Sequence, residues 1–286
     1  MAKTNQVRGT REKVIATIEW ILVLLLFLLV LFPFVMVAIN SLKVKRDIIM
    51  NPFSIITARG LTFNNYVEAF VKMHFIRSFF NSLMVTGLAT CLSILTSSML
   101  AYYLVRYVNK FTAIVSAILI ASMIIPFQAL MIPLVSIYGA GLGVLNHRLT
   151  LVFMHTGFAL AMSTFIYQGF IKSGIPLALE EAALIDGCSK YGIFFRVVFP
   201  LLGPTTATLV ILNVLAFWND YLLPSLVLSL KELLTLPLTT YTFYGTYSAN
   251  YGVIMAALVL TVLPILILYF ALQSKIIEGV VSGAVK

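Results

Sequence analysis

Charge is what this 286-residue sequence has least of: Asp, Glu, Lys and Arg make up 10% of it, against 61% apolar residues and a mean hydropathy of +1.03. So few ionised groups cannot solvate a globule of that size, and the chain is expected to be an integral membrane protein. Cysteine is nearly absent as well. Cys91 falls in an apolar run and Cys188 in a polar one, which implies no disulfide framework. His74, His147 and His155 show no metal-ligand spacing with each other or with cysteine, so no metal site is expected. The string GxxxxGK(S/T) does not occur, and no cluster of Asp, Glu and His offers acid–base chemistry, so no enzyme and no bound cofactor is expected. Internal repeats, low-complexity tracts and a second soluble domain are missing too. The net charge of +9 would suggest nucleic acid in a soluble protein. Here the cations sit in loops between apolar runs, where they set topology and meet anionic headgroups, and nucleic-acid binding has no support.

What is present is a series of long apolar runs. Six spans are predicted, at about residues 15–39, 78–105, 111–138, 149–171, 204–228 and 252–273, in a single transmembrane domain over 1–286 with both termini on the same side. The basic start, Lys3 to Lys13, precedes a run too long for a signal peptide and is read as the entry to a retained first helix, which Pro33 is expected to kink. Between the first two spans, Leu61 to Tyr66 looks like the start of a short amphipathic helix ending near His74. Small and hydroxyl residues from Ser82 to Ser98 mark the second span as a helix-packing surface. Pro126 and Pro133 predict a bent third span, with Gln128 between them either a candidate for a binding cavity or a hydrogen-bond partner of a neighbouring helix. His155, in the fourth, reads as a hydrogen-bonding interhelical residue. Eleven of the nineteen cations fall on the side of the termini, too small a bias to fix orientation alone.

The polar interval between the fourth and fifth spans is Ser173 to Pro204, SGIPLALEEAALIDGCSKYGIFFRVVFPLLGP. Pro176 suits a helix start, Leu177 to Ile185 carries helix formers with Glu180 and Glu181 near the positive end of the dipole, and Gly187 suits a helix end. A second short helix is predicted from Tyr191 to Val198. The order Glu181-Ala182-Ala183, Asp186-Gly187, Phe195, Pro200, Pro204 resembles the cytoplasmic EAA loop of ABC importer permeases, with Cys188 where a small Ala is common. Paired alanines leave a helix face thin enough to enter a groove, with carboxylates to meet basic groups there. The resemblance implies that Glu180, Glu181, Ala182, Ala183, Asp186, Gly187 and Cys188 couple the loop 172–203 to an ATPase subunit, and it places the loop in the cytoplasm.

Asp220 is the only charged residue between Arg196 and Lys231, and a carboxylate among apolar helices costs at least about 2.5 kcal/mol unless paired or wet. Asn213 and Phe217 share its helical face, and Trp218, Asn219 and Tyr221 flank it. At 1.5 Å per residue from Pro204 it lies roughly 24 Å along the span, past the midplane. Two readings stand: a contact for a polar solute, or an ion-pair and capping network shaping the outer gate. The string Phe217 to Pro224, FWNDYLLP, looks like the fifth-helix motif of sugar-importer permeases similar to the second membrane subunit of the maltose transporter. Tyr241, Tyr244, Tyr247 and Tyr251 recur at three, three and four residues, as an interfacial aromatic belt does. The family resemblance offers a second reading, contact with an extracellular binding protein. As bare chemistry the tail 274–286 is a small flexible end; by resemblance Gly279, Ser282 and Gly283 run along the ATPase.

The expected fold is therefore all-α, that of a type I ABC importer permease with cytoplasmic termini. The implied function is one half of the translocation path of an ATP-driven importer of di- or oligosaccharides in the bacterial plasma membrane. The implied partners are a second homologous permease, two ATPase subunits holding ATP and Mg, and an extracellular solute-binding protein. The alternatives are a glycerol-phosphate importer of the same family and, from another class, an ion-coupled secondary transporter.

Overall fold

The computed structural model describes residues 10–55, 59–241, 243 and 250–284, as backbone alone from 274 on. No strand occurs among them. Four helices are long and apolar enough to cross a membrane, and two helix pairs bent at short breaks bring the number to six if each pair is one span.

The chain divides into two units. The smaller holds α1 (Thr10–Ser41), α2 (Lys45–Met50), α3 (Asn64–Lys72) and the first turns of α14 (Tyr251–Ala284). α1 runs through Pro33 as one helix. Its exit is knotted by polar side chains. Asn65 Nδ2 donates to the carbonyls of Ser41 and Lys43, both at 2.8 Å. Lys43, fully buried, places its ammonium on Asn40 Oδ1 and the carbonyls of Asn51 and Pro52. Burial pulls that ammonium below the ordinary lysine range, against the raising charge of Asp47. A Cβ on Gly252 would come within 2.5 Å of Asn65 Nδ2, so the absence of a side chain there lets α14 approach the knot.

The larger unit is built on α4 (Phe75–Arg106) and α7 (Arg148–Gly174), joined through α5 (Lys110–Ile124) and α6 (Phe127–Val135). Ser82, Thr86, Ala89, Thr90, Ser93 and Ser97 of α4 recur at helical spacing and are all buried, which lets the two long helices approach closely. Arg148 at the start of α7 bonds Asn81 near the start of α4, and Ile175 just after α7 bonds Arg106 at the end of α4. The two helices therefore run in the same direction. α11 (Gly203–Asn219) runs opposite to them, with Leu209 in an apolar cluster at the Arg106 end and Phe217 in a second cluster at the Asn81 end.

Two spans and the tail differ from expectation. The third breaks outright at Ile125-Pro126, and the two halves meet at 100°. A residue before proline prefers extended backbone, and Ile125 adopts φ −71°, ψ 119°. Pro133 stays inside α6, and a π-helical turn, Ser136–Gly141, follows it. The fifth stops at Asn219, turns at Asp220 (φ −68°, ψ 130°) and resumes as α12 (Leu222–Val227), because Pro224 has no N–H to give the Asp220 carbonyl. The tail is not a loose end: α14 is unbroken from Tyr251 to Ala284, an extension that costs little once a long helix exists.

Candidate functional site

The loop between α7 and α11 folds as its local chemistry predicts. Pro176 precedes α8 (Leu177–Ile185), and the helix ends in a double turn: Cys188 N–H reaches the Ala183 carbonyl and Gly187 N–H that of Leu184, both at 3.0 Å. Gly187 at φ +80° takes the left-handed position this ending requires. The hydroxyl of Ser189 accepts from Gly192 N–H and starts α9 (Lys190–Ile193), continued by a π turn (Phe194–Val198) and α10 (Phe199–Leu201).

The two faces of α8 differ. Ala183, Ile193, Phe194 and Val198 are buried in a cluster with Tyr167, Ile171 and Ile175 of α7 and its exit. Glu180 lies on this inner face, not beside Glu181. Arg106 Nε and Nη2 both stand 2.7 Å from Glu180 Oε1, Arg106 Nη2 also donates to the Ile175 carbonyl at 2.9 Å, and Tyr102 O–H donates to Oε2 at 2.8 Å. Only 8% of the Glu180 side chain and 15% of that of Arg106 are exposed. Glu181, Ala182, Leu184, Ile185, Asp186 and Gly187 face outward, Ile185 at 87% exposure, and Cys188 is half-buried between the faces.

A second candidate region surrounds the break in α11. His155, Phe158, Ala159, Asn213, Phe217, Asn219 and Asp220 line an open cavity of about 430 Å³. Asp220 Oδ1 accepts from Leu222 N–H at 2.9 Å and thereby restarts the helix, while Oδ2 lies 3.8 Å from His155 Nδ1. The imidazole lies 4.7 Å from the Phe217 ring, and its Nε2 is buried with no hydrogen-bond partner. Asn213 donates to Ser93 at 3.1 Å and to Ser163 at 3.5 Å. Asn219 Nδ2 turns back to the Leu215 carbonyl.

Other residues singled out in the sequence lie elsewhere. Trp218 is buried away from the cavity lining, with its N–H on the Thr261 carbonyl at 3.3 Å and its ring edge-on to Phe79. Tyr221 stacks on Tyr241 of α13 (Leu236–Tyr241) with centroids 3.5 Å apart. Gln128 is exposed on α6 and does not line this cavity. Tyr251 opens α14, and Tyr244 and Tyr247 lie outside the described residues. Gly279, Ser282 and Gly283 fall in the last turns of α14. Three residues were not legible as site components: His155, which faces Asp220, and Arg106 and Tyr102, which hold Glu180. The signal available for Glu180 was its position three residues before Ala183, on the buried face.

Residues 93–280 match the family described as binding-protein-dependent transport system inner membrane component. The chain belongs to this family. The permease is 40% identical to a probable starch degradation products transport system permease, AmyC, of Thermoanaerobacterium thermosulfurigenes, over 89% of this chain and 91% of that protein. It is 37% identical to the melibiose/raffinose/stachyose import permease MelC of Bacillus subtilis, again over 89% and 91%. Its fold matches a chain of a bacterial ABC transporter involved in import of the acidic polysaccharide alginate, with a TM-score of 0.80 at 21% identity over 94% of this permease and 99% of that chain. The multi-pass, all-helical architecture and the membership agree in making this chain a membrane-spanning transport component.

Proposed function

We propose that this permease forms half of the translocation path of an ATP-driven importer of di- or oligosaccharides in the bacterial plasma membrane. In this reading the chain crosses six times as one transmembrane domain, each bent pair counting as one span, and both termini are cytoplasmic. A second homologous permease supplies the other half, two ATPase subunits hold ATP and Mg, and an extracellular binding protein delivers the cargo. The exposed face of α8 carries the proposal. Leu184 and Ile185, 60% and 87% exposed, stand beside Glu181, Ala182 and Asp186 on a short helix at the polar end of the bundle, an apolar patch that a protein partner would cover. Glu180, on the opposite face, acts here by positioning the helix rather than by touching the ATPase. ATP and the loaded binding protein both favour the outward-facing state, and their differential affinities drive the transition.

The cargo class rests on the named relatives and on the chemistry of the α11 cavity, which combines aromatic faces with hydrogen-bonding Asn213, Asn219 and Asp220 and has no lysine or arginine in its lining. A glycerol phosphate would call for cations there, and an ion-coupled carrier would not belong to a binding-protein-dependent family; neither alternative is favoured. Gln128 is assigned to the path between the two permeases, Tyr241, Tyr244, Tyr247 and Tyr251 to contact with the binding protein, and Gly279, Ser282 and Gly283 to the ATPase. The complex of both permeases, ATPase and cognate binding protein, reconstituted in liposomes, is expected to hydrolyse ATP faster with raffinose or a maltodextrin than with glycerol 3-phosphate. Stimulation by the phosphate alone would refute the cargo assignment.

A further inference from the structure

We propose that Arg106, Glu180 and Tyr102 form a charged clamp that makes the ATPase-facing helix α8 and the long helix α4 move as one body. The proposal rests on the coupling role given to α8 above. A helix that merely capped the bundle would need only the apolar cluster beneath it. Instead Glu180 spends both carboxylate oxygens on α4, with Oε1 receiving two arms of Arg106 and Oε2 the Tyr102 phenol. Arg106 uses its Nη2 a second time on the Ile175 carbonyl, in the segment joining α7 to α8. Three points of the loop region are thus tied to the last turn of α4.

The geometry resists shear. A guanidinium is planar and holds its donors in a fixed fork, so sliding α8 along α4 breaks several bonds together instead of stretching one. Both charges also suit their helices, with Glu180 in the first turn of α8 and Arg106 in the last turn of α4. Tyr102 adds a ring contact to Phe194, 5.4 Å between centroids, tying the π turn that follows α9 to the same spot. From the clamp α4 runs unbroken to Ser93, the hydroxyl that accepts from Asn213 in the α11 cavity. A displacement imposed on α8 therefore reaches the cavity wall through one rigid helix, not through a flexible linker.

The sequence contains two cysteines, and they report on this arrangement: Cys91 is exposed on α4 and Cys188 is half-buried at the end of α8. With partner subunits made free of cysteine, spin labels on both give one distance within this chain of the assembled complex. The wild-type distance distribution is expected to be the same without nucleotide and after trapping with Mg-ATP and vanadate. In Glu180→Gln and Arg106→Lys it is expected to shift and broaden on trapping, although the ATPase still co-purifies. Arg106→Lys keeps the charge but loses the fork, so a response there separates clamping from simple neutralisation. Should these variants fail to assemble, Tyr102→Phe removes one bond without stranding a charge and is expected to broaden the trapped distribution. A wild-type distance that changes on trapping, or variants that keep it fixed, would overturn the clamp. The coupling reading has its own control: Ala182→Trp should release the ATPase subunit, and retention of the ATPase would refute docking whatever the label distances show.

Discussion

At the Arg106 end of the α4–α7 pair, a guanidinium, a carboxylate and a phenol meet in a nearly closed pocket; at the Asn81 end, a neutral amide does the corresponding work. Asn81, 1% exposed, donates to the carbonyls of Glu232 and Leu234 at 2.9 and 3.0 Å and accepts from Arg148 at 2.7 Å, while Ser82 accepts from Leu236 N–H. Both ends tie distant chain segments to α4, but at different cost of rupture. Removing one member of a buried ion pair strands the other charge, whereas losing an amide frees two neutral carbonyls. In the proposed importer, a rigid end on the ATPase side and a more yielding end on the binding-protein side would suit a machine in which force enters at one side and a gate opens at the other.

Mutations can break that contrast in graded steps. The largest effect is expected for Glu180→Ala, which leaves Arg106 buried without its partner and should cost about 3–5 kcal/mol. Thermal unfolding of the detergent-solubilised complex measures it, and a loss no larger than that of an exposed carboxylate such as Glu181 would erase the distinction between the ends. Asn81→Ala should cost less, about 1–3 kcal/mol, with Arg148 still able to reach water. Tyr167→Phe removes a single hydroxyl contact, 2.8 Å from Thr206, between α7 and α11. Interhelical hydrogen bonds in membranes average about 0.6 kcal/mol, so a loss of that order is expected, in the same unfolding assay. Asp220→Asn should leave stability nearly unchanged, since the amide oxygen can still accept from Leu222 N–H. Removing the carboxyl group that faces His155 should nonetheless alter uptake by the reconstituted complex, and normal uptake would confine Asp220 to a capping role.

The contrast also separates what could be read from the sequence from what could not. α8 and its ending were legible because their determinants are local: Pro176 and Gly187 act within a few residues of themselves. The breaks at Pro126 and Pro224 were half legible, since proline signals a lost hydrogen bond but not whether the helix bends or stops. That decision came from Ile125 and Asp220, each in extended backbone. The clamp was hidden because Arg106 and Glu180 are 74 positions apart, and a basic residue beside Lys110 reads as an ordinary loop. The expectation that His155 is a satisfied interhelical donor fails, since its Nε2 is buried without a partner and its Nδ1 stands 3.8 Å from Asp220 Oδ2, a juxtaposition that only the fold creates. The helical continuation of the tail was missed because Gly279 and Gly283 suggest looseness when read without the helix that precedes them.

Cross-linking of Cys188 to single cysteines placed along the groove of the ATPase subunit tests the coupling role of the α8 loop most directly. A cross-link from at least one groove position, with a yield that changes between nucleotide-free and Mg-ATP–vanadate states, is the predicted result. Failure from every groove position in an assembled, hydrolytically active complex would contradict it.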